Sequence, residues 1–153
     1  MRKILTFLVM VQLFTSCNLD KTPKCGDSDV VNKAIELFNQ QIKEKLKNEY
    51  VDKNFNEYDA IEYAKNKGWN TTDYLKTEKN RINTEADEYV NNTLKSTVLK
   101  SIRSNSINKE IKLCSCSAEV ANLNLKNIDV DYTAQQTEDK EKSIFVELTY
   151  SVK

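Results

Sequence analysis

Cysteines are the residues of this sequence with the most definite chemistry. The chain of 153 residues contains four of them, at positions 17, 25, 114 and 116, and it contains no histidine. A thiolate can act as a nucleophile, a metal ligand or half of a disulfide, but the lack of histidine removes the commonest general base and metal ligand. Cys25, Cys114 and Cys116 without histidine are an incomplete zinc set, and no Cys-x-x-Cys motif is present. The pattern favours structural or modified cysteines, and no metal or other cofactor is expected.

Cys17 ends a segment with the layout of an export signal. Two basic residues come first, an apolar run follows over positions 4–14, and small residues lead directly into the cysteine. The run is shorter than the roughly 20 residues that a membrane-spanning helix needs. The segment resembles the signal peptide of bacterial lipoproteins, in which the cysteine is acylated and the chain is cleaved before it. Plain secretion and a retained membrane anchor are the alternatives.

The resemblance implies a domain order and a location. Residues 1–16 would be the removed signal, residues 17–26 the acylated cysteine and a polar tether, and residues 27–153 a single domain of ordinary size. Export of the Sec type followed by lipidation, for example with palmitate, would attach the domain to the cell envelope. Asn18 resembles the residue that follows the lipidated cysteine in outer-membrane lipoproteins, which favours that membrane, on its periplasmic face or at the cell surface.

Composition excludes one class of partner and favours one class of fold. Basic and acidic residues number 23 each, so there is no basic field to attract nucleic acid. The chain has only two glycines and one proline. So few turn-forming residues favour long helices and a simple meander over a turn-dense sandwich.

Apolar residues recur with helical spacing in the first half of the chain. The pattern predicts helices over residues 29–50, 57–67 and 72–95, with Gly68 as a left-handed stop and Trp69 as a plug over the core. Oxygens of Asp27, Ser28 and Asp29 could cap the first helix. Its predicted inward residues are Val31, Ile35, Phe38, Ile42 and Leu46.

The spacing changes to a period of two after residue 96. Strands are predicted over residues 98–103, 111–120, 128–135 and 144–152, with a turn over 104–109. The order of elements predicts an α+β fold, with N-terminal helices packed on one face of a C-terminal antiparallel meander of three to four strands.

This arrangement constrains the remaining cysteines. Cys114 and Cys116 would point to the same face of one strand, towards the helices, where they cannot comfortably bond to each other. Cys25 is then the available partner for either of them. A disulfide closing a loop of about ninety residues would contribute about 2–4 kcal/mol. A metal or redox site, or three free thiols, are the alternatives.

Several short motifs resemble small bacterial lipoproteins or exported proteins in which one cysteine precedes a helix and another opens a Cys-x-Ala strand. The motifs are Cys25-Gly-Asp-Ser-Asp-Val-Val, residues 99–103, Cys116-Ser-Ala-Glu-Val, residues 131–139 and Phe145-Val-Glu-Leu. The resemblance implies a disulfide between Cys25 and Cys116, with Cys114 as an additional free thiol. It implies an envelope location and no settled biochemical role.

Carboxylates form the second candidate site. Glu119, Asp129, Asp131 and Glu147 should lie on the solvent-facing side of the sheet, where cross-strand neighbours gather negative charge. Such a face is an ordinary solvated surface or a docking surface for a basic partner or a cation. We therefore expect a non-catalytic, membrane-anchored binding domain for an envelope protein or peptide. An envelope enzyme with a carboxylate or cysteine site, and a passive structural surface lipoprotein, are the alternatives.

Overall fold

A computed structural model of the chain describes residues 22–122, 124–125, 128–138 and 143–153. Three helices are followed by four strands: α1 Ser28–Asn54, α2 Glu57–Lys67, α3 Thr71–Lys95, β1 Val98–Asn108, β2 Leu113–Ala121, β3 Ile128–Gln136 and β4 Ile144–Val152. The strands form one antiparallel sheet in the order β1-β2-β3-β4. The predicted α+β fold, with its helices at the N-terminal end, is confirmed.

The helix ends follow from local side-chain chemistry. Asn56 caps α2, because its Oδ1 accepts hydrogen bonds from the backbone N–H groups of Tyr58 at 3.0 Å and Asp59 at 3.5 Å. Gly68 ends α2 with φ +70°, a conformation that L side chains rarely adopt. Asn70 caps α3 through a 3.1 Å hydrogen bond from the N–H of Asp73. These signals place α2 at its predicted bounds.

Helix α1 differs from its prediction in its start, its end and part of its buried stripe. Its N-cap is Asp27, but the Asp27 carboxylate accepts a 2.9 Å hydrogen bond from the N–H of Lys24 and does not cap the helix. The helix continues to Asn54, because no glycine or proline interrupts the chain between Gly26 and Gly68. The buried residues are Val30, Ala34, Phe38, Ile42 and Leu46, and the predicted Val31 and Ile35 are only half-buried. In the N-terminal part of α1, the buried residues are thus spaced by four positions and include Ala34, in place of the predicted Val31 and Ile35.

One face of the sheet forms the core with α1 and part of α3. The ring of Phe38 meets the ring of Tyr150 edge-to-face, with centroids 5.7 Å apart, and Gln41 Nε2 donates to the carbonyl of Leu148 at 3.1 Å. Helix α3 packs on α1, and α2 packs on α3. The buried sheet residues alternate along β2, β3 and β4: Cys114, Cys116, Ala118, Val120, Ile128, Val130, Tyr132, Ala134, Val146 and Leu148. None of the described helices has an apolar stretch long enough to cross a membrane.

Strand β1 is longer than the sequence predicts, because the segment expected to turn at 104–109 continues the strand to Asn108. Its pairing with β2 shifts register between Lys100 and Arg103 and again between Ser104 and Ser106, and Ser101 has φ +52°. These bulges break the period of two that the sequence pattern relies on. The exposed side chains of this edge strand supply no hydrophobic alternation either. The turn begins after Asn108, whose Oδ1 accepts hydrogen bonds from the N–H groups of Glu110 and Ile111.

Trp69 is not the predicted plug over the core. Half of its surface is exposed, at 51%. Its ring packs against Tyr63 and Tyr74, with centroid distances of 5.8 and 5.5 Å. The three rings brace the junction of α2 and α3, beyond the hydrophobic core that joins α1 to the sheet.

Candidate functional site

The sheet face that points away from the helices carries the predicted carboxylates. We call it the outer face, formed by Ser117, Glu119, Asp129, Asp131, Thr133, Glu147 and Thr149. The carboxylate-bearing Glu119, Asp131 and Glu147 are exposed and Asp129 is half-buried. No described helix covers this face, since α1 and α3 pack on the opposite one. The strand register therefore brings together the four acidic residues that the sequence pattern assigns to one surface.

Glu119 and Asp129 lie directly opposite each other on β2 and β3. Like charges in this position repel, but each carboxylate here has a cation. Lys153 Nζ lies 2.8 Å from Asp129 Oδ2, and Arg103 Nη2 lies 3.7 Å from Glu119 Oε1. The hydrogen bond to Asp129 raises the pKa of Lys153. This half of the outer face is a compensated ion cluster.

Asp131 and Glu147 form the other half of the acidic surface. Asp131 is paired with Thr149 across β3 and β4, so Glu147 is its diagonal neighbour, at a separation of about 7–8 Å for this geometry. Neither carboxylate has an ion pair or a hydrogen bond within the part of the chain that the structure describes. Their flanking outer-face residues are neutral hydroxyls, at Ser117, Thr133 and Thr149. Two adjacent negative charges are thus left without a cation and open to solvent.

An open cleft of about 610 Å³ adjoins the compensated half, where β1, β2 and β3 meet the end of α3. Its lining residues carry both signs of charge, at Lys100, Lys153, Glu119 and Asp129, and include the apolar Leu125.

The second site is a cluster of three sulfur atoms under the sheet. Cys25 and Cys116 form a disulfide, with Sγ atoms 2.12 Å apart and Cα atoms 5.7 Å apart, within the usual Cα range. This is the pairing that the resemblance implied. Cys114 is a free thiol that is fully buried, and its Sγ lies 3.6 Å from that of Cys116. Burial raises the pKa of the Cys114 thiol, so its neutral form is favoured.

Backbone elements hold these sulfurs rigidly. Cys114 and Cys116 occupy adjacent inward positions of β2, and Cys25 lies in the turn before α1, where the N–H of Asp27 bonds to the carbonyl of Lys24 at 3.0 Å. The hydroxyl of Tyr132 on β3 donates to the carbonyl of Cys25 at 2.8 Å. Pro23 is buried as well, so residues that the sequence assigned to the tether pack with the domain from position 23.

Three contacts at these sites do not follow from the predicted elements. Lys153 continues the alternation of Glu147, Thr149 and Ser151, so the period of two could have placed it on the outer face. Arg103 could not be placed, because the bulge at Ser101 shifts its register. The hydrogen bond from Tyr132 depends on the tertiary position of Cys25, which no local pattern encodes. Cys17, the predicted lipidation site, lies outside the described residues.

Comparison with known proteins adds no relative from which a role could be transferred. No protein-family model, curated protein or solved structure matches the chain.

Proposed function

We propose that this chain is a lipid-anchored protein of the bacterial envelope whose α+β domain is a non-catalytic binding module. The half of the outer face that carries Asp131 and Glu147 is its contact surface, and a basic segment of another envelope protein or a peptide is its partner. The observation that carries the proposal is the exposed pair of Asp131 and Glu147, which lacks any cation among the described residues.

Anchoring is inferred from the first seventeen residues. Several acyl chains on Cys17 would hold the domain durably at a bilayer without a spanning helix. Thr22, where the described chain begins, is five residues after Cys17, which is at most about 18 Å when extended. The domain would therefore sit close to the membrane surface, and partners within reach would be membrane-bound or peripheral envelope components.

Charge complementarity is the basis for the choice of partner. Exposed charges steer the approach of oppositely charged surfaces. Salt screens this attraction between charges that lie more than a Debye length apart, which is about 8–10 Å. Glu119 is already paired with Arg103, and Asp129 with Lys153. Asp131 and Glu147 have no ion pair among the described residues, so their charges are available to a basic partner. Binding should weaken as ionic strength rises, and it should depend on Asp131 and Glu147 more than on Glu119.

A pair of charge-reversed variants tests the proposal. In the first, Asp131→Lys and Glu147→Lys reverse the outer face. In the matched control, Glu44→Lys and Glu62→Lys make the same change of net charge on exposed positions of α1 and α2 that have no ion pair in the described structure. Each full-length protein is crosslinked in cells, purified through a C-terminal tag and analysed by mass spectrometry.

We expect the wild-type protein and the helix control to recover the same crosslinked partner, and the outer-face variant to lose it. Identical recovery by all three proteins would refute the role of the outer face. Loss of the partner in both variants would also contradict the proposal, since it would assign the effect to net charge rather than to this surface.

A further inference from the structure

The three sulfur atoms under the sheet form a compact triangle that a disulfide alone does not require. Cys25, Cys114 and Cys116 are all buried, and their Sγ atoms all lie within 4.8 Å of one another. We propose that the reduced form of this cluster is a binding site for a trivalent thiophilic metalloid, such as arsenic of the arsenite class, held by all three sulfurs. This site is independent of the outer face and of the function proposed for it.

The geometry is wrong for the more familiar use of a third cysteine, which is thiol–disulfide exchange. Exchange requires the attacking sulfur to lie in line with the bond that breaks. With Cys114 Sγ 3.6 Å from Cys116 Sγ and the disulfide sulfurs 2.12 Å apart, in-line attack would place the sulfur of Cys25 about 5.7 Å from that of Cys114. The two lie within 4.8 Å. In-line attack on Cys25 is excluded in the same way, because Cys114 already lies 3.6 Å from the sulfur that would leave.

Strand geometry points the same way. Attack on Cys116 would also join two side chains of one extended strand, which disfavours the product. In its reduced form the cluster therefore presents three sulfur donors, and it is not arranged for thiol–disulfide exchange.

Charge selects the class of ion. Three thiolates around a monovalent or divalent ion would leave a net negative charge in a buried site, which is costly without a nearby cation. The charged group that acts on Cys114 is Asp27, which is itself negative. A trivalent ion bound to three thiolates is neutral. Among the described residues the set also has no fourth ligand of the kind that a structural zinc site uses.

The reaction balances in two steps. A dithiol reductant transfers two electrons and two protons to the Cys25–Cys116 disulfide and is itself oxidised to a disulfide. The three thiols then displace the three hydroxides of arsenous acid: three arsenic–sulfur bonds form, three arsenic–oxygen bonds break, and each thiol proton leaves in a water molecule. No electrons move in the second step. Tyr132 and β2 keep the sulfurs in place after reduction, because neither the Cys25 carbonyl contact nor the strand pairing involves the disulfide.

Titration of the reduced full-length protein with sodium arsenite tests the proposal. Cys17→Ser is carried throughout to remove the fourth thiol, and the protein is reduced with a phosphine that is removed without oxygen. Native mass spectrometry counts arsenic and lost protons per chain, and alkylation counts the protected thiols. Cys114→Ala is the comparison variant, and its thermal unfolding in the oxidised state checks that it is folded.

We expect one arsenic per chain, loss of three protons, three protected thiols, and affinity at least about tenfold lower in the Cys114→Ala variant. The unreduced protein should bind none. Loss of only two protons in the wild-type protein, or equal affinity in the variant, would overturn the three-sulfur site. Tighter binding of zinc than of arsenite under the same conditions would overturn the charge argument. The proton count on the wild-type protein keeps the test decisive if the variant does not fold.

Discussion

Replacing Tyr132 by phenylalanine should cost stability at neutral pH and cost almost nothing in alkali. The side chain is buried, with 2% of its surface exposed, and its hydroxyl donates to the carbonyl of Cys25 at 2.8 Å. Phenylalanine fills nearly the same space but leaves that carbonyl without this partner. The loss of a hydrogen bond to a buried group lowers the free energy of unfolding by about 1–2 kcal/mol.

The pH dependence follows from the protonation of the same hydroxyl. Burial, and secondarily the charge of Cys114, raises the pKa of Tyr132 from 10.0 to about 12. The folded protein thus holds this proton more tightly than the unfolded chain does. Its stabilising contribution is complete below pH 10 and is lost as the pH rises towards 12. By about pH 11 the wild-type protein loses about 1.4 kcal/mol that the phenylalanine variant cannot lose.

Urea unfolding followed by circular dichroism measures both effects. Wild type and Tyr132→Phe are compared from about pH 7 to about pH 11, both with Cys17→Ser and Cys114→Ala, because a free thiolate in the urea-unfolded chain would scramble the disulfide in alkali. Burial, the larger cause of the raised Tyr132 pKa, is retained in this background. The difference in unfolding free energy should shrink from about 1–2 kcal/mol to near zero. A difference that stays constant with pH would refute the assignment of a buried, protonated hydroxyl. No difference at neutral pH would refute the hydrogen bond.

Two further changes act on the connections between elements. Cys25→Ala should lower the free energy of unfolding by about 2–4 kcal/mol, since it opens a loop between residues 91 positions apart, and a reductant should then have no additional effect on the thermal midpoint. Gly68→Ala should cost about 1–2 kcal/mol, because φ is +70° there, whereas Gly26→Ala should be nearly neutral, because an added Cβ meets nothing within 4 Å. Similar losses at both glycines, by the same thermal assay, would contradict the role of the left-handed stop.

The elements that the sequence predicts well are those whose signals are local. Helix α2 lies between an asparagine cap and a left-handed glycine, and its bounds follow from these residues. Strand β3 alternates cleanly from Ile128 to Ala134, because one of its faces is buried and the other is wet. The placement of Asp129 and Asp131 on the outer face follows directly from that alternation.

The elements that the sequence predicts poorly depend on their neighbours. The bulges of β1 place two residues of that strand opposite one of β2, so counting along the chain loses the register after Lys100. On α1, Val31 and Ile35 are as apolar as the residues that are buried, so the local pattern does not determine which side of the helix faces the sheet. The cluster of three sulfurs is also not predictable from local patterns, because the packing of α1 sets how closely Cys25 approaches β2.

The most direct test of the account is the mass of the N-terminal peptide of the protein extracted from membranes. Lipidation at Cys17 predicts a peptide that begins at Cys17 and carries a diacylglyceryl group, together with release of the Cys17→Ala protein from the membrane fraction. An unmodified peptide that begins elsewhere, or a variant that stays with the membrane, would contradict the lipid anchor and with it the proposed place of the domain in the envelope.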